Sequence, residues 1–195
     1  MKVVLATGNA HKRREIAAII AALGLPLELV VPEVPLPEVI EDGATLAANA
    51  VKKARTVALA LGLPALADDT GLEVDALGGA PGHHAARYAG PEGDAAKNVA
   101  KLLAALAGVP AAQRMARFRC VVALVLDPRG EALLGEGRVE GAIAEAPSGG
   151  GGFGYDSVFW LPGRSCTLAE LPESEKNALS HRRRALADLG LRLPG

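Results

Sequence analysis

Two adjacent carboxylates, Asp68 and Asp69, end an apolar run and are followed at once by Thr70-Gly71. The run 64–68 is typical of a strand, and ligands in open α/β sheets bind at the carboxyl ends of strands. Carboxylates at this place suit Mg²⁺, which binds one or two protein oxygens together with substrate phosphates. Such an acid can also orient or deprotonate an attacking water. The alternative, that the pair only caps the next turn, explains one aspartate but not both.

The segment ATGNAHKRRE near the start of the chain is the second place where residue types indicate chemistry. A strand that leads through a Thr-Gly-Asn turn into a helix presents backbone N–H groups and the positive end of the helix dipole, which together bind anions. His11, Lys12, Arg13 and Arg14 crowd this helix start, where the dipole disfavours cations. We therefore expect a phosphate chain here with Lys12 as a contact, and we interpret Arg13 and Arg14 as an exposed basic face.

The segment EKNALSHRRRALADLG near the end repeats this arrangement, with Ser180 as a local cap before His181, Arg182 and two further arginines. Two cationic helix starts in one chain indicate an electron-rich ligand between them. Because a cation at a helix start is unfavourable, removing Arg182 is expected to leave the stability of the ligand-free protein unchanged or higher.

Four of the six aromatic residues lie in the stretch GFGYDSVFW, namely Phe153, Tyr155, Phe159 and Trp160. Glycines around an aromatic residue let a flat ring approach the backbone, and a nucleobase stacked there would gain about 1–3 kcal/mol. The alternative is that these rings form the core of a strand. We assign that role to Phe159 and the role of a base platform to Phe153 and Tyr155.

Composition narrows the function classes. A chain of 195 residues fits one domain, and its two cysteines, Cys120 and Cys166, are expected to be reduced thiols. The net charge of −1 argues against a general nucleic-acid binder. The first apolar run is too short for a signal peptide or a membrane span. We expect a cytoplasmic protein with neither a nucleic-acid nor a membrane partner.

Short strand-like runs alternate with Ala/Leu-rich helical runs, which predicts an α/β fold. The predicted strands are 2–7, 27–31, 64–68, 72–77, 117–127 and 131–140. The predicted helices are 11–23, 44–61, 94–106 and 175–189. The turn Asp127-Pro-Arg-Gly130 joins the last two strands as a hairpin. No linker separates a second domain, so residues 1–195 are interpreted as a single domain.

In this order the motifs resemble the inosine triphosphate pyrophosphatase (Ham1-like) family, enzymes that hydrolyse abnormal purine nucleoside triphosphates to the monophosphate and pyrophosphate. The matching motifs are TGNAHK, TLAANAVKKA, ADDTGLEVDALGGAPG, ARY, FRC, GFGYD and EKNALSHR, and they span almost the whole chain. The resemblance implies an elongated mixed central sheet flanked by helices, two lobes with the substrate cleft between them, and usually a homodimer.

The resemblance also implies roles for individual residues. Asp69 matches the catalytic acid, Asp68 sits beside it at the Mg²⁺ site, and either Glu38 or Glu41 supplies a further metal ligand. The substrate-binding residues that it implies are Thr7, Gly8, Asn9, Ala10, His11, Lys12, Asn49, Lys53, Thr70, Phe153, Gly154, Tyr155, Asp156, Lys176, His181 and Arg182. In the family, residues 7–12 with Lys53 contact phosphates, 153–156 form the base platform, and the last three reach the base edge.

The sequence departs from the family pattern at three places. Thr70 stands where the family usually has Ser, Ala86 replaces the Ser of SARY, and Ser157 replaces the Pro of GYDP. The first change keeps the hydroxyl and the second removes one. These changes affect fine geometry and leave the reaction class as it is.

The reaction that follows is attack of water on the α-phosphorus of a purine triphosphate, with Asp69 activating the water, Mg²⁺ between carboxylates and phosphates, and pyrophosphate leaving. The donors Lys176, His181 and Arg182 suit a 6-keto oxygen, whereas adenine presents an amino group at that position. Two alternatives remain at this point. One is another metal-dependent pyrophosphatase acting on dUTP or modified pyrimidines, and the other is a nucleotide sensor that binds without turnover.

Overall fold

A computed structural model describes residues 1–193 as an α/β protein. Its helices are α1 (Ala10–Leu23), α2 (Leu46–Leu61), α3 (Ala95–Ala105), α4 (Glu173–Leu179) and α5 (His181–Gly190). Its strands are β1 (Lys2–Leu5), β2 (Glu28–Val30), β3 (Ala65–Val74), β4 (Pro81–Gly82), β5 (Met115–Val125), β6 (Leu133–Ile143), β7 (Phe159–Leu161) and β8 (Cys166–Thr167). No helix within residues 1–193 is both long and apolar enough to span a membrane.

The strands form one mixed sheet in the order β2-β1-β3-β5-β6-β7-β8, with β4 paired to β3. Strand β1 runs parallel to both β2 and β3. Strand β4 is antiparallel to β3, and β7 is antiparallel to both β6 and β8. The mixed sheet with flanking helices confirms the predicted fold class.

The chain divides into two compact units. The first unit comprises Met1–Asp69, Cys120–Gly137 and the segment from His181 onward, and the second comprises Thr70–Arg119 and Arg138–Ser180. Each unit has its own hydrophobic core. Cys120 lies in the first unit and Cys166 in the second, and the two form no disulfide bond.

In the first unit the strands bury both of their faces. Leu66 packs with residues of α1 and α5, whereas Ala65 and Ala67 pack with residues of α2. This split follows from strand geometry, because successive side chains of a strand point to opposite faces. Neighbouring residues of β3 therefore contact different helices, and the same alternation continues into Asp68 and Asp69.

In the second unit aromatic residues form part of the core. Phe159 is fully buried, and its ring lies 4.5 Å from that of Phe118 between centroids. Tyr155 is buried in the same core, and its hydroxyl donates to the carbonyl oxygen of Ala85 at 2.8 Å. The predicted core role of Phe159 is confirmed.

A single strand, β3, runs through the aspartate pair where the sequence predicted two strands, 64–68 and 72–77. Asp, Thr and Gly are turn-forming residues, which is why the pattern indicated a break. In the structure side-chain cations compensate both carboxylates, so the pair stays in the strand. Gly71 then allows close approach of β4, because a Cβ there would lie 2.9 Å from the carbonyl oxygen of Gly82. Residues 75–77 form a short 3₁₀ turn instead of a strand end.

The predicted helix 175–189 is two helices, α4 and α5, which meet at Ser180. Ser180 is buried and has an extended backbone, with φ −66° and ψ 151°, so the helical path ends there and begins again at His181. The prediction of one continuous helix was wrong. Helix α5 then lies flush against β6, because a Cβ at Gly135 or Gly137 would collide with its backbone.

Candidate active site

The two adjacent aspartates of β3 have separate surroundings. Asp68 and Asp69 are 2% and 5% exposed, respectively. Since one follows the other in a strand, Asp68 faces the side covered by α1 and α5, whereas Asp69 faces α2. The sequence predicted the carboxylates as a joint metal site, but the structure gives each its own set of partners.

Asp68 is compensated by two cations. Its Oδ2 accepts from Arg182 Nε at 3.0 Å and lies 3.2 Å from Lys12 Nζ. Burial alone would raise the pKa of Asp68, but the charges of Lys12 and Arg182 outweigh it and hold this pKa well below its ordinary value. Asp68 therefore stays ionised and serves as the anion that fixes these two cations.

Arg182 also donates to Glu15 of α1, with Nη1 at 3.4 Å from both carboxylate oxygens. Both residues are almost completely buried. Glu15 was missed in the sequence, although an acid directly after three basic residues at a helix start was a usable signal. The expectation that Arg182 is an unfavourable cation is revised, because two buried carboxylates compensate it.

Asp69 is held by two residues of α2, one turn apart. Its Oδ1 accepts from Lys53 Nζ at 2.9 Å, and its Oδ2 accepts from Asn49 Nδ2 at 3.3 Å. Burial raises the pKa of Asp69, and the Glu41 carboxylate adds to this rise while the Lys53 ammonium opposes it. A buried carboxylate with a raised pKa is a suitable general base, because a pKa closer to the operating pH makes it a better proton acceptor.

Glu41 is the second acid at this position. Its Oε1 lies 3.0 Å from the same Lys53 Nζ that contacts Asp69, so two carboxylates share one ammonium. Burial would lower the pKa of Lys53, but Asp69, Asp68 and Glu41 together raise it, and the side chain stays charged. The other candidate, Glu38, is exposed, so Glu41 is the acid that the structure brings to Asp69.

Asp69 and Glu41 supply carboxylate oxygens, which suit a hard cation. Water or substrate would supply the other ligands of such a cation. Within residues 1–193, no three acidic, His or Cys side chains lie close enough to form a metal site by themselves. Asp69 Oδ1 and Glu41 Oε1 converge on Lys53 Nζ, so the Lys53 ammonium occupies the point between them. The oxygens of these two carboxylates are of the kind that Mg²⁺ prefers, and Mg²⁺ held by them would take its remaining oxygens from outside the protein.

The predicted phosphate loop lies at the exposed start of α1. Asn9 is its N-cap, and the Asn9 side chain accepts from the backbone N–H groups of His11 and Lys12 at 2.9 and 3.1 Å. Thr7 Oγ1 accepts from the Asn9 N–H at 3.2 Å. The N–H groups of Gly8 and Ala10 have no acceptor among residues 1–193 and are exposed, so they are the backbone donors left for an anion.

The second unit holds a separate cluster around Asp156. Its Oδ2 accepts from the Phe153 N–H at 2.8 Å and from Lys176 Nζ at 2.8 Å. Lys176 Nζ also lies 4.7 Å from the centroid of the Phe153 ring, a cation–π contact. Gly154 has a φ of 64°, a left-handed conformation that suits glycine.

The ring of Tyr155 packs in the core, whereas Phe153 is half-buried, so Phe153 is the more exposed of the two predicted platform rings. Burial raises the pKa of Tyr155.

Thr70 follows Asp69 in β3 and is half-buried. His181 and Arg182 belong to the first unit, where both are buried, and their assignment to the base edge stays a prediction.

With this geometry established, comparison with known proteins decides the family. A sequence profile of the Ham1 family matches residues 3–190. The chain belongs to the Ham1 family. It is similar to the dITP/XTP pyrophosphatase of Geobacillus kaustophilus, with 50% identity over 188 residues that cover 96% of this chain and 92% of the relative. The dITP/XTP pyrophosphatase of Methylococcus capsulatus is 51% identical over 195 residues, covering 98% and 96% of the two chains.

Two solved structures with 40–45% sequence identity share the fold. A HAM1 protein from Coxiella burnetii superposes with a TM-score of 0.87 at 40% identity, covering 98% of both chains. A nucleoside-triphosphatase / dITP/XTP pyrophosphatase from Mycobacterium abscessus superposes with a TM-score of 0.74 at 45% identity, covering 100% of this chain and 98% of the other. The resemblance to the Ham1-like family inferred from the motifs is therefore confirmed over nearly the full chain.

Proposed function

We propose that this Ham1 protein hydrolyses abnormal purine nucleoside triphosphates, namely ITP, dITP and XTP, to the nucleoside monophosphate and pyrophosphate. The observation that carries the proposal is the position of Asp69, a buried carboxylate of raised pKa held by Lys53 and Asn49 beside Glu41. The pyrophosphatase names of relatives about half identical to this chain support the same reaction.

Asp69 acts as the general base. Its carboxylate accepts a proton from a water molecule as that water attacks the α-phosphorus, and pyrophosphate leaves from the opposite side. Lys53 keeps the carboxylate oriented and supplies a positive charge close to the reacting phosphate. Raising the pKa of the base increases its proton affinity, which favours this transfer.

We further propose that Asp69 and Glu41 hold Mg²⁺. When bound, Mg²⁺ neutralises phosphate charge and polarises the phosphorus–oxygen bonds. Asp68 has a different role, since its charge is matched by Lys12 and Arg182. Through this pair, Asp68 positions the Lys12 ammonium at the start of α1, where it and the N–H groups of Gly8 and Ala10 bind phosphate oxygens.

Base selection is assigned to the cluster in the second unit. Lys176 is a donor held beside the Phe153 ring by Asp156, so it suits the 6-keto oxygen of a stacked hypoxanthine or xanthine. Adenine carries an amino group at that position and would face the ammonium with another donor. Two hydrogen-bond donors that face each other form no hydrogen bond and stay unpaired in a buried site. A site that donates a hydrogen bond therefore rejects a base that also donates one.

Substitutions of Lys12 and Lys176 should have different effects across a panel of ITP, dITP, XTP, GTP and ATP. Lys12→Met is expected to raise KM for every triphosphate by about tenfold or more, because it removes a charge-assisted hydrogen bond to phosphates that all of them share. Lys176→Met is expected to reduce kcat/KM for ITP and XTP and to narrow their advantage over ATP. The measurement is pyrophosphate release over the panel.

The matched control for both substitutions is Lys97→Met, which changes an exposed lysine of α3. It should leave all the rates at the wild-type level. Equal losses on every nucleotide in both Lys12→Met and Lys176→Met would contradict the assignment of Lys176 to the base. A wild-type preference for ATP would contradict the proposed substrate class.

Assembly and location are proposed from the sequence and the family resemblance. We expect a cytoplasmic homodimer, and two cysteines that form no disulfide are in keeping with a reducing compartment.

A further inference from the structure

Asn49 of α2 makes two hydrogen bonds in opposite directions. Its Nδ2 donates to Asp69 Oδ2 at 3.3 Å, and its Oδ1 accepts from the backbone N–H of Gly43 at 2.8 Å. The residue is 1% exposed. One buried amide therefore joins the strand that carries Asp69 to the segment before α2.

The contact at Gly43 is close enough to require glycine. A Cβ at residue 43 would lie 2.6 Å from Asn49 Oδ1 and 2.9 Å from the Cβ of Ala48. Real Cβ atoms do not approach other atoms so closely, so any side chain would push this segment away from α2. The backbone of Gly43 thus packs directly against the side-chain amide of Asn49.

The segment that contains Gly43 also carries Glu41, two residues earlier in the chain. Residues 31–45 form no helix or strand, so the position of Glu41 depends on such side-chain contacts. Three such contacts are the ion pair of Glu41 with Lys53, the ion pair of Asp42 with Lys52 at 2.6 Å, and the hydrogen bond from the Gly43 N–H to Asn49 Oδ1. Asn49 therefore contacts Asp69 directly and helps to hold Glu41 in place through the backbone of Gly43.

We propose that Asn49 is a positioning residue that sets the placement of Glu41 relative to Asp69, and not the substrate contact that the family resemblance implied. Both polar ends of its side chain are used inside the first unit, and almost no surface is left for a ligand to touch. The proposal rests on the proposed function, in which the two carboxylates hold a divalent cation. Residues that orient metal ligands in this way typically change metal affinity or activity by about 10–100-fold when replaced.

The test compares Asn49→Ala and Gly43→Ala with the wild-type enzyme. Gly43→Ala breaks the same link from the other end and leaves the Asn49 side chain and Asp69 intact. Three quantities are measured: Mn²⁺ affinity without nucleotide by electron paramagnetic resonance, amide hydrogen exchange of residues 38–44, and KM for ITP at saturating Mg²⁺. Both variants should weaken Mn²⁺ binding by about 10–100-fold and speed exchange of this segment, while KM at saturating Mg²⁺ stays near the wild-type value.

Asn98→Ala is the matched control. Asn98 is also buried, at 3% exposed, and its amide likewise makes two hydrogen bonds, to the backbone of Ala86 and Ala89 in the second unit. Its removal leaves the same kind of unpaired backbone groups without touching the acids. The control variant should keep Mn²⁺ affinity and the exchange of residues 38–44 unchanged.

Two outcomes would overturn the positioning role. Unchanged Mn²⁺ affinity with a raised KM for ITP in Asn49→Ala would make Asn49 a substrate contact, and unchanged values of all three quantities would leave it no role in the site. Failure of the proposed function is a separate result, in which the wild-type enzyme itself neither binds Mn²⁺ nor releases pyrophosphate from ITP.

Discussion

Replacing Asp69 with asparagine is expected to lower kcat for ITP by about 10²–10⁴-fold, the range that general-base catalysis contributes. The amide has nearly the shape of the carboxylate, but it cannot accept a proton from water and carries no charge for a cation. The contacts that bind phosphates, at Lys12 and the start of α1, are unchanged. ITP binding to the variant, measured by calorimetry, should therefore remain while turnover is lost.

The pH dependence gives this prediction a second readout. Burial raises the pKa of Asp69 in the metal-free protein, and bound Mg²⁺ would lower it. The base works only when it is deprotonated, so the wild-type rate should fall as the pH drops through the pKa that Asp69 has in the complex with substrate and Mg²⁺. The residual rate of Asp69→Asn should lack that fall. The control is Asp75→Asn, which changes an exposed acid paired with Arg117 in the second unit and should keep the wild-type rate. A variant that loses ITP binding but turns over bound ITP normally would assign Asp69 to binding instead.

Replacing Arg182 with methionine is expected to reduce the free energy of unfolding by about 3–5 kcal/mol. The guanidinium compensates two buried carboxylates, Asp68 and Glu15, and its removal leaves Asp68 with Lys12 and takes the Arg182 cation away from Glu15, while both carboxylates stay buried. Removing the cation that compensates a buried carboxylate is among the most destabilising changes in a protein interior. Urea unfolding of the ligand-free protein measures the effect.

The matched control is Arg184→Met, two residues further along α5, where the arginine is exposed. Substitutions at exposed positions usually change stability by no more than about 0.5 kcal/mol. The triple variant Glu15→Gln, Asp68→Asn, Arg182→Met should recover much of the loss, because it removes the buried charges together. Equal stabilities for Arg182→Met and Arg184→Met would show that the buried network does not compensate charge as described.

The contrast between these two arginines shows where sequence reasoning reaches its limit. The sequence identified Arg182 as a cation at a helix start, and the dipole argument predicted that it is unfavourable there. Its stabilisation comes from Asp68 and Glu15, which are 114 and 167 positions away in the chain. Contacts at that separation depend on the packing of α1 and α5, which no local pattern encodes.

The aspartate pair was recognised from the sequence, but its arrangement was not. The turn-like residues Asp-Asp-Thr-Gly indicated a strand end, and a strand end would have left both carboxylates at one site. Once β3 is known to continue to Val74, the alternation of side chains separates them. The choice between Glu38 and Glu41 likewise required the structure, because these residues lie in an irregular segment that has no periodicity to align.

The central claim is that water attacks the α-phosphorus, and hydrolysis of ITP in ¹⁸O-labelled water with Mg²⁺ tests it most directly. Mass spectrometry of the products identifies which phosphorus received the label. We predict one ¹⁸O atom in the phosphate of IMP, with unlabelled pyrophosphate formed in equal amount. Label in pyrophosphate, or release of orthophosphate with IDP, would contradict the claim.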